Sequence, residues 1–144
     1  MQQLQTHHVG VVVSDLDEAV SFYRDALGLS VTDEFTLAED GIGTAIGVDG
    51  ATGDFVHLDA GGDEGDGTRI ELIEYDPAGE DCIADAINQV GAKHVGFAVD
   101  DIGEFYENLP DEVEPISDPQ AIEIDTSILF FRDPEGNFVE VVEV

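Results

Sequence analysis

The run from His8 to Glu18 recurs as the run from His94 to Glu104, with six of the eleven positions identical. Each half then closes on an apolar stretch that carries one carboxylate between apolar neighbours. These are Glu71 between Ile70 and Leu72, and Glu140 between Val139 and Val141. A supersecondary unit used twice must build its core from two similar modules rather than from one long meander. The order, His and then Glu, is kept in both copies.

Within each copy the local signals point to a strand, a helix and further strands. The first strand ends near Val13 or Val99. Asp15 or Asp101 follows as a helix N-cap, with Glu18 or Glu104 three residues on, the spacing of a capping box. The first helix is predicted over 16–27, with Leu16, Ala19, Val20, Tyr23, Ala26 and Leu27 on one stripe and Gly28 as its stop. Strands are predicted at 43–48, 55–59 and 69–74 in the first half, and at 113–116, 127–132 and 137–142 in the second. Residues 60–68, rich in Gly and Asp, read as an exposed hairpin loop. Residues 133–137 read as a tight turn, because Pro134 presets φ and Gly136 accepts a positive one. Apolar residues at helical spacing over 81–90, ending at Gly91, predict a short linking helix. The expectation is an α+β chain of one domain over 1–144. It comprises two βαβββ modules, at about 4–78 and 92–144, joined by a helix at about 80–90.

Charge narrows the function. Four basic residues face 34 acidic ones, a net charge of −30. With no basic patch to neutralise phosphates, nucleic acid is excluded as a partner. Such acidity alone would suggest disorder, but 42% of the residues are hydrophobic and fall in strand and helix periods. The acids are dispersed along the chain, which fits a solvated surface suited to high salt, as in halophilic proteins. The start of the chain lacks the pattern of a signal peptide, and no apolar run approaches the roughly 20 residues that span a bilayer. The expectation is a cytoplasmic protein with a small-molecule substrate and no membrane partner. One cysteine, Cys82, rules out an intramolecular disulfide or a cysteine cluster, so any metal must rely on histidine and carboxylate.

Strand alternation shows where such ligands would lie. His8 shares a face with Gly10, and His94 with Gly96, so small residues leave room in front of each ring. Glu71 and Glu140 oppose their apolar neighbours, and a carboxylate inside an apolar strand is costly unless paired, protonated or coordinated. Two imidazoles and two carboxylates balance one divalent cation and leave two octahedral positions free. Such donors suit Ni, Co, Zn, Mn or Fe. Taken singly, each of the four has an ordinary structural reading; the repetition favours a metal site made of His8, Glu71, His94 and Glu140. His57 is either a pocket residue or a satisfied polar one. His7 lies on the opposite face from His8, and Cys82 is a packing residue.

These residues resemble the vicinal oxygen chelate superfamily, the group of glyoxalase I, methylmalonyl-CoA epimerase, extradiol dioxygenases and the fosfomycin and bleomycin resistance proteins. The resemblance runs through HVG at 8–10, DLDEAVSFYRDALGL at 15–29, IELIE at 70–74, HVGFAVD at 94–100 and FRDPEGNFVE at 131–140. It implies paired modules forming a cupped mixed sheet around one metal, completed within a chain or across a homodimer. It also carries the family's ligands onto His8, Glu71, His94 and Glu140. In glyoxalase-like members the metal holds two neighbouring substrate oxygens and stabilises an enediolate, while a glutamate moves a proton next to a carbonyl. Glu140 or Glu71 would be that base, with Glu140 preferred.

The expected activity is therefore a metal-dependent lyase or isomerase of the lactoylglutathione lyase type. A methylmalonyl-CoA epimerase-type isomerase, an extradiol dioxygenase and a non-catalytic drug-binding or resistance protein are the alternatives. The set of two His and two Glu looks more like glyoxalase I than like the dioxygenases. Arg69 and Arg132 are placed to meet a substrate anion, or else form surface ion pairs. The family's epimerase-like pattern tends to place a second catalytic acid on the strand that here carries Phe55 and His57.

Overall fold

The computed structural model describes residues 2–60 and 68–144. Two compact units divide the chain, Met1–Glu80 and Asp81–Val144. Most of the loop expected at 60–68 lies outside the described residues.

The first unit runs β1 (Val9–Val12), α1 (Leu16–Ser21), β2 (Ser30–Leu37), α2 (Asp40–Ile46), β3 (Thr52–Asp59) and β4 (Arg69–Asp76). Its sheet has the order β1-β4-β3-β2, with β1 parallel to β4 and the other pairs antiparallel. The second unit runs β5 (His94–Val99), α3 (Ile102–Glu107), β6 (Gln120–Glu123), β7 (Thr126–Arg132) and β8 (Phe138–Glu143). Its order is β5-β8-β7-β6, again with the outer pair β5 and β8 parallel. Both are mixed four-stranded sheets with few helices, the α+β class expected of two βαβββ modules.

Helix α1 starts as its cap spacing requires. Asp15 Oδ1 accepts the Glu18 N–H at 3.0 Å, and in the second unit Asp101 Oδ1 accepts the Glu104 N–H at 2.9 Å. After Ser21 the first helix widens into a π turn over Phe22–Ala26, and Gly28 leaves it at φ 76°. Its stripe buries Ala19, Val20 and Tyr23 on the side of the sheet that holds Leu58, Ile70 and Leu72. The second unit's core contains Ile102, Leu129, Phe131, Val139 and Val141. Every buried strand residue in these sets alternates with a neighbour on the opposite face, and that opposite face carries Glu71 and Glu140.

Three expectations are corrected. Residues 43–48 are not a strand: helix α2 covers Asp40–Ile46, and the second strand lies earlier, at Ser30–Leu37. Ile42, Ala45 and Ile46 recur at helical spacing, Gly47 ends the helix at φ 73°, and Gly43 packs where a Cβ would lie 2.7 Å from the Val48 carbonyl oxygen. Asp33 and Glu34 obscure the strand pattern of β2, which is also irregular in register between Val31 and Asp33.

The helix expected at 80–90 is absent; that segment is turns and irregular chain. Arg132 Nη1 and Nη2 donate to the carbonyls of Ala84 and Asp85 at 3.0 and 2.7 Å, so these acceptors serve a neighbouring strand instead of a helical ladder. The strand expected at 113–116 is a single bridge from Pro115 to Phe131, and β6 forms later, at Gln120–Glu123. Pro115 denies the earlier segment one of the N–H groups that a ladder needs. The turn at 133–137 forms as expected, with Asp133 Oδ1 accepting from the N–H groups of Glu135 and Asn137 and Gly136 at φ 91°.

Candidate metal centre

Register places the four expected ligands equivalently. In the first unit Glu71 of β4 stands opposite Gly10 of β1, and His8 lies two residues before Gly10, on the same face. In the second, Glu140 of β8 stands opposite Gly96 of β5, with His94 two residues before it. At Gly10 an added Cβ would meet Ile73 Cδ1 at 3.5 Å, and the nearer approach to a glutamate is in the second unit. A Cβ at Gly96 would already lie 3.4 Å from Glu140 Oε2.

The structure brings together His8 with Glu71 and His94 with Glu140. His8 Nε2 is 3.5 Å from Glu71 Oε1, and His94 Nε2 is 3.0 Å from Glu140 Oε2. Two donors each about 2.1 Å from one divalent ion, at right angles, stand about 3 Å apart. Both pairs therefore have the spacing of neighbouring ligands. Neither glutamate has an arginine or lysine partner among the described ion pairs; their only partners there are histidines, which are cationic only if protonated. Among the described residues no group of three or more His, Cys, Asp or Glu is poised as it stands to hold a metal ion. Each unit contributes a pair whose donor chemistry fits one.

The pairs differ in their surroundings. Glu71 is 8% exposed, and its Oε2 accepts a hydrogen bond from His57 Nε2 at 2.6 Å. His57 is buried, stacked near the His8 ring at 6.1 Å between centroids and met edge-on by Phe35 at 5.1 Å. The position equivalent to His57 in the second unit is Phe130, opposite Glu140 in register and packed edge-on to His94 at 5.3 Å. Glu140 is half-buried and bonded to His94. His7 Nδ1 lies 2.8 Å from His8 Nδ1, a contact that leaves the His8 Nε2 turned to Glu71. Burial, together with the Glu71 carboxylate, pushes the nearby Tyr75 phenol above its ordinary value.

The two arginines weighed as anion contacts are both engaged. Arg69 Nε lies 3.6 Å from Asp59 Oδ1 at the end of the β3/β4 pair. Arg132 donates to three carbonyls, of Ala84, Asp85 and Gly136, and its guanidinium stacks 4.0 Å over Phe138. Cys82 is exposed, contrary to its expected packing role.

Sequence reasoning passed over two acids. Glu74 Oε2 accepts the Leu16 N–H at 3.0 Å, and Glu143 Oε2 accepts the Ile102 N–H at 2.8 Å. Both follow the candidate ligand by three residues, so they lie on the opposite strand face and cap the helix there. The matching spacing in IELIE and VEVVE is the signal that could have found them.

Comparison with known proteins bears on the family and the fold. The family model described as Glyoxalase/Bleomycin resistance protein/Dioxygenase superfamily matches residues 5–141. Mouse mitochondrial methylmalonyl-CoA epimerase is 30% identical over 134 residues, 90% of this chain, which spans 65% of that protein's length. A glyoxalase family protein from Bacillus cereus has a similar fold, with a TM-score of 0.87 at 24% identity, covering 99% of this chain and 95% of that one. The trypanothione-dependent glyoxalase I of Leishmania major gives a TM-score of 0.68 at 20% identity, covering 98% of this chain and 87% of that one. Among the described residues no helix is long and apolar enough to cross a membrane.

Proposed function

We propose that this chain, which belongs to the Glyoxalase/Bleomycin resistance protein/Dioxygenase superfamily, is an enzyme that uses one divalent metal ion to move a proton on a carbon next to a carbonyl. The observation that carries this reading is the repeated pair, a histidine and a glutamate brought to 3.5 and 3.0 Å by the same register in each unit. His8, Glu71, His94 and Glu140 would hold the metal, and two neutral imidazoles with two carboxylates suit Ni, Co, Zn, Mn or Fe. The bound ion would supply Lewis acidity, lowering the cost of negative charge on a carbonyl oxygen when the neighbouring carbon loses its proton.

Glu140 is the proton carrier in this reading. It is less enclosed than Glu71, with side chains 19% and 10% exposed, and it is bonded to His94 at 3.0 Å. A carboxylate that must take and return a proton needs that freedom. Glu71, enclosed and bonded to His57, is suited to binding instead.

The mouse relative favours epimerisation of an acyl thioester over the glyoxalase reaction, since its 30% identity covers 90% of this chain while the solved glyoxalases support the fold alone. The acyl group would carry most of the affinity. Arg24 is paired with Asp25, Arg69 lies by Asp59, Arg132 holds carbonyls and Lys93 donates to the Gly91 carbonyl, so phosphates meet few free cations.

The test is metal analysis of protein purified in high salt, beside His8→Ala and Glu140→Ala, together with deuterium exchange from solvent into methylmalonyl-CoA. Stoichiometric metal in the wild type, its loss from both variants and deuterium at the α-carbon are expected. Full metal retention in both variants overturns the site. Metal-loaded protein that leaves methylmalonyl-CoA and hemithioacetals unchanged overturns the reaction class.

A further inference from the structure

The duplicated fold departs from symmetry at one position beside the glutamates: His57 in the first unit, Phe130 in the second. Both rings pack against their own unit's histidine, so both fill the same space. They differ in polarity. A carboxylate only accepts, so the 2.6 Å contact makes His57 Nε2–H the donor and Glu71 Oε2 the acceptor. With His57 buried at 7% exposure and braced by Phe35, this bond occupies one oxygen of Glu71 and turns the other, Oε1, toward His8 Nε2. Glu140 is bonded to His94 at 3.0 Å, but among the described residues no second histidine holds it, and its ring neighbour is a phenylalanine without a donor.

We propose that His57 is a positioning residue that locks Glu71 as the fixed carboxylate of the metal centre, and that its replacement by Phe130 in the second unit leaves Glu140 free to move. This rests on the metal-dependent reading above and deepens it. One ancestral His–Glu module would thereby supply two glutamates with different duties. Hydrogen-bonded partners of ligating carboxylates orient them, and losing one commonly weakens metal binding about 10–100-fold.

Three substitutions test the role. His57→Phe copies the second unit's ring and removes the donor. His57→Gln keeps an amide N–H near the position of Nε2, whereas His57→Asn carries it near Nδ1. Metal affinity is read by competition with a chelator using Co(II), whose visible spectrum also reports the ligand set. The expected result is binding weakened about 10–100-fold in His57→Phe and His57→Asn, with His57→Gln close to wild type and the Co(II) spectrum of the loaded proteins unchanged.

Equal affinity in all four proteins overturns the positioning role while leaving the metal site standing. A Co(II) spectrum altered in every variant, His57→Gln included, overturns it too, by making His57 itself a ligand. A wild type that binds no metal overturns the site and the role of His57 together. The Gln and Asn variants keep the comparison decisive should the Phe variant not fold.

Discussion

Glu74 reaches from β4 to accept the N–H of Leu16, the first residue of α1, at 3.0 Å, and Glu143 does the same for Ile102 of α3 at 2.8 Å. The strand that carries the candidate ligand on one face therefore anchors the helix from the other. Losing a side-chain acceptor at a helix start costs about 0.5–2 kcal/mol. Glu74→Ala and Glu143→Ala are each expected to lower stability by roughly 1 kcal/mol in denaturant melts, with metal content unchanged. Unchanged melts would show that Asp15 and Asp101 suffice as caps.

Two glycines of α2 should respond oppositely to alanine. At Gly43 the new Cβ would meet backbone on three sides, 2.7 Å from Val48 O, 3.1 Å from Ala51 N and 3.2 Å from Gly50 N. Overpacking of that kind costs about 1–3 kcal/mol. At Gly41 nothing lies within 4 Å and φ is not positive, so alanine's better helix propensity should add up to about 1 kcal/mol. Thermal melts of the two variants check the sign, and stabilisation by Gly43→Ala would contradict the packing of α2.

The division of labour between the glutamates predicts unequal kinetics. Glu140→Gln, which keeps an oxygen ligand but cannot carry a proton, should lower kcat by roughly 10²–10⁴-fold with metal retained. Glu71→Gln should retain more of kcat than Glu140→Gln. The reverse order in steady-state kinetics would exchange the two roles.

Net charge of −30 predicts a salt-dependent fold. Repulsion among dispersed carboxylates is screened when the Debye length falls to about 3 Å at 1 M salt. The midpoint of thermal unfolding should rise steadily from dilute buffer to molar KCl. A midpoint insensitive to KCl would remove the interpretation of the acids as a high-salt surface.

Alkaline titration should place Tyr106, with Tyr75, among the late-titrating phenols. Its O–H donates to Asp118 Oδ1 at 2.7 Å, and that bond pushes the phenol above its ordinary value of 10.0. The bond exists only while the phenol is protonated, so its contribution is complete below the unfolded value and is lost as pH rises through the higher folded value. Ultraviolet titration of the phenols should lose a late-titrating group in Tyr106→Phe. The same late group should move earlier in Asp118→Asn.

Much of the arrangement was legible in the sequence, because the repeat, the cap spacing and strand alternation are short-range rules. Strand alternation alone says that His8 shares a face with Gly10 and that Glu71 opposes Ile70 and Leu72; the parallel β1/β4 register then sets Glu71 opposite Gly10. The misreadings have a common cause. Residues 43–48 carry small and apolar side chains that suit either a strand or a helix, and Gly43 became helical through close packing with the chain at 48–51. Residues 81–90 have helical spacing, but Arg132, distant in sequence, takes the carbonyls a helix would have used.

The sequence by itself determined the two-module α+β architecture, the acidic composition and the strand faces that carry His8 with Gly10 and His94 with Gly96, since all three follow from repetition, composition and periodicity. Only the tertiary structure decided that Glu71 is bonded to a buried histidine while Glu140 sits beside a phenylalanine. His57 and Phe130 are each one residue in a strand, and what they do depends on the neighbour that the register of β3 with β4, and of β7 with β8, places across from them. Partner choice across strands is a long-range outcome, and a one-residue slip would have put both rings on the other face.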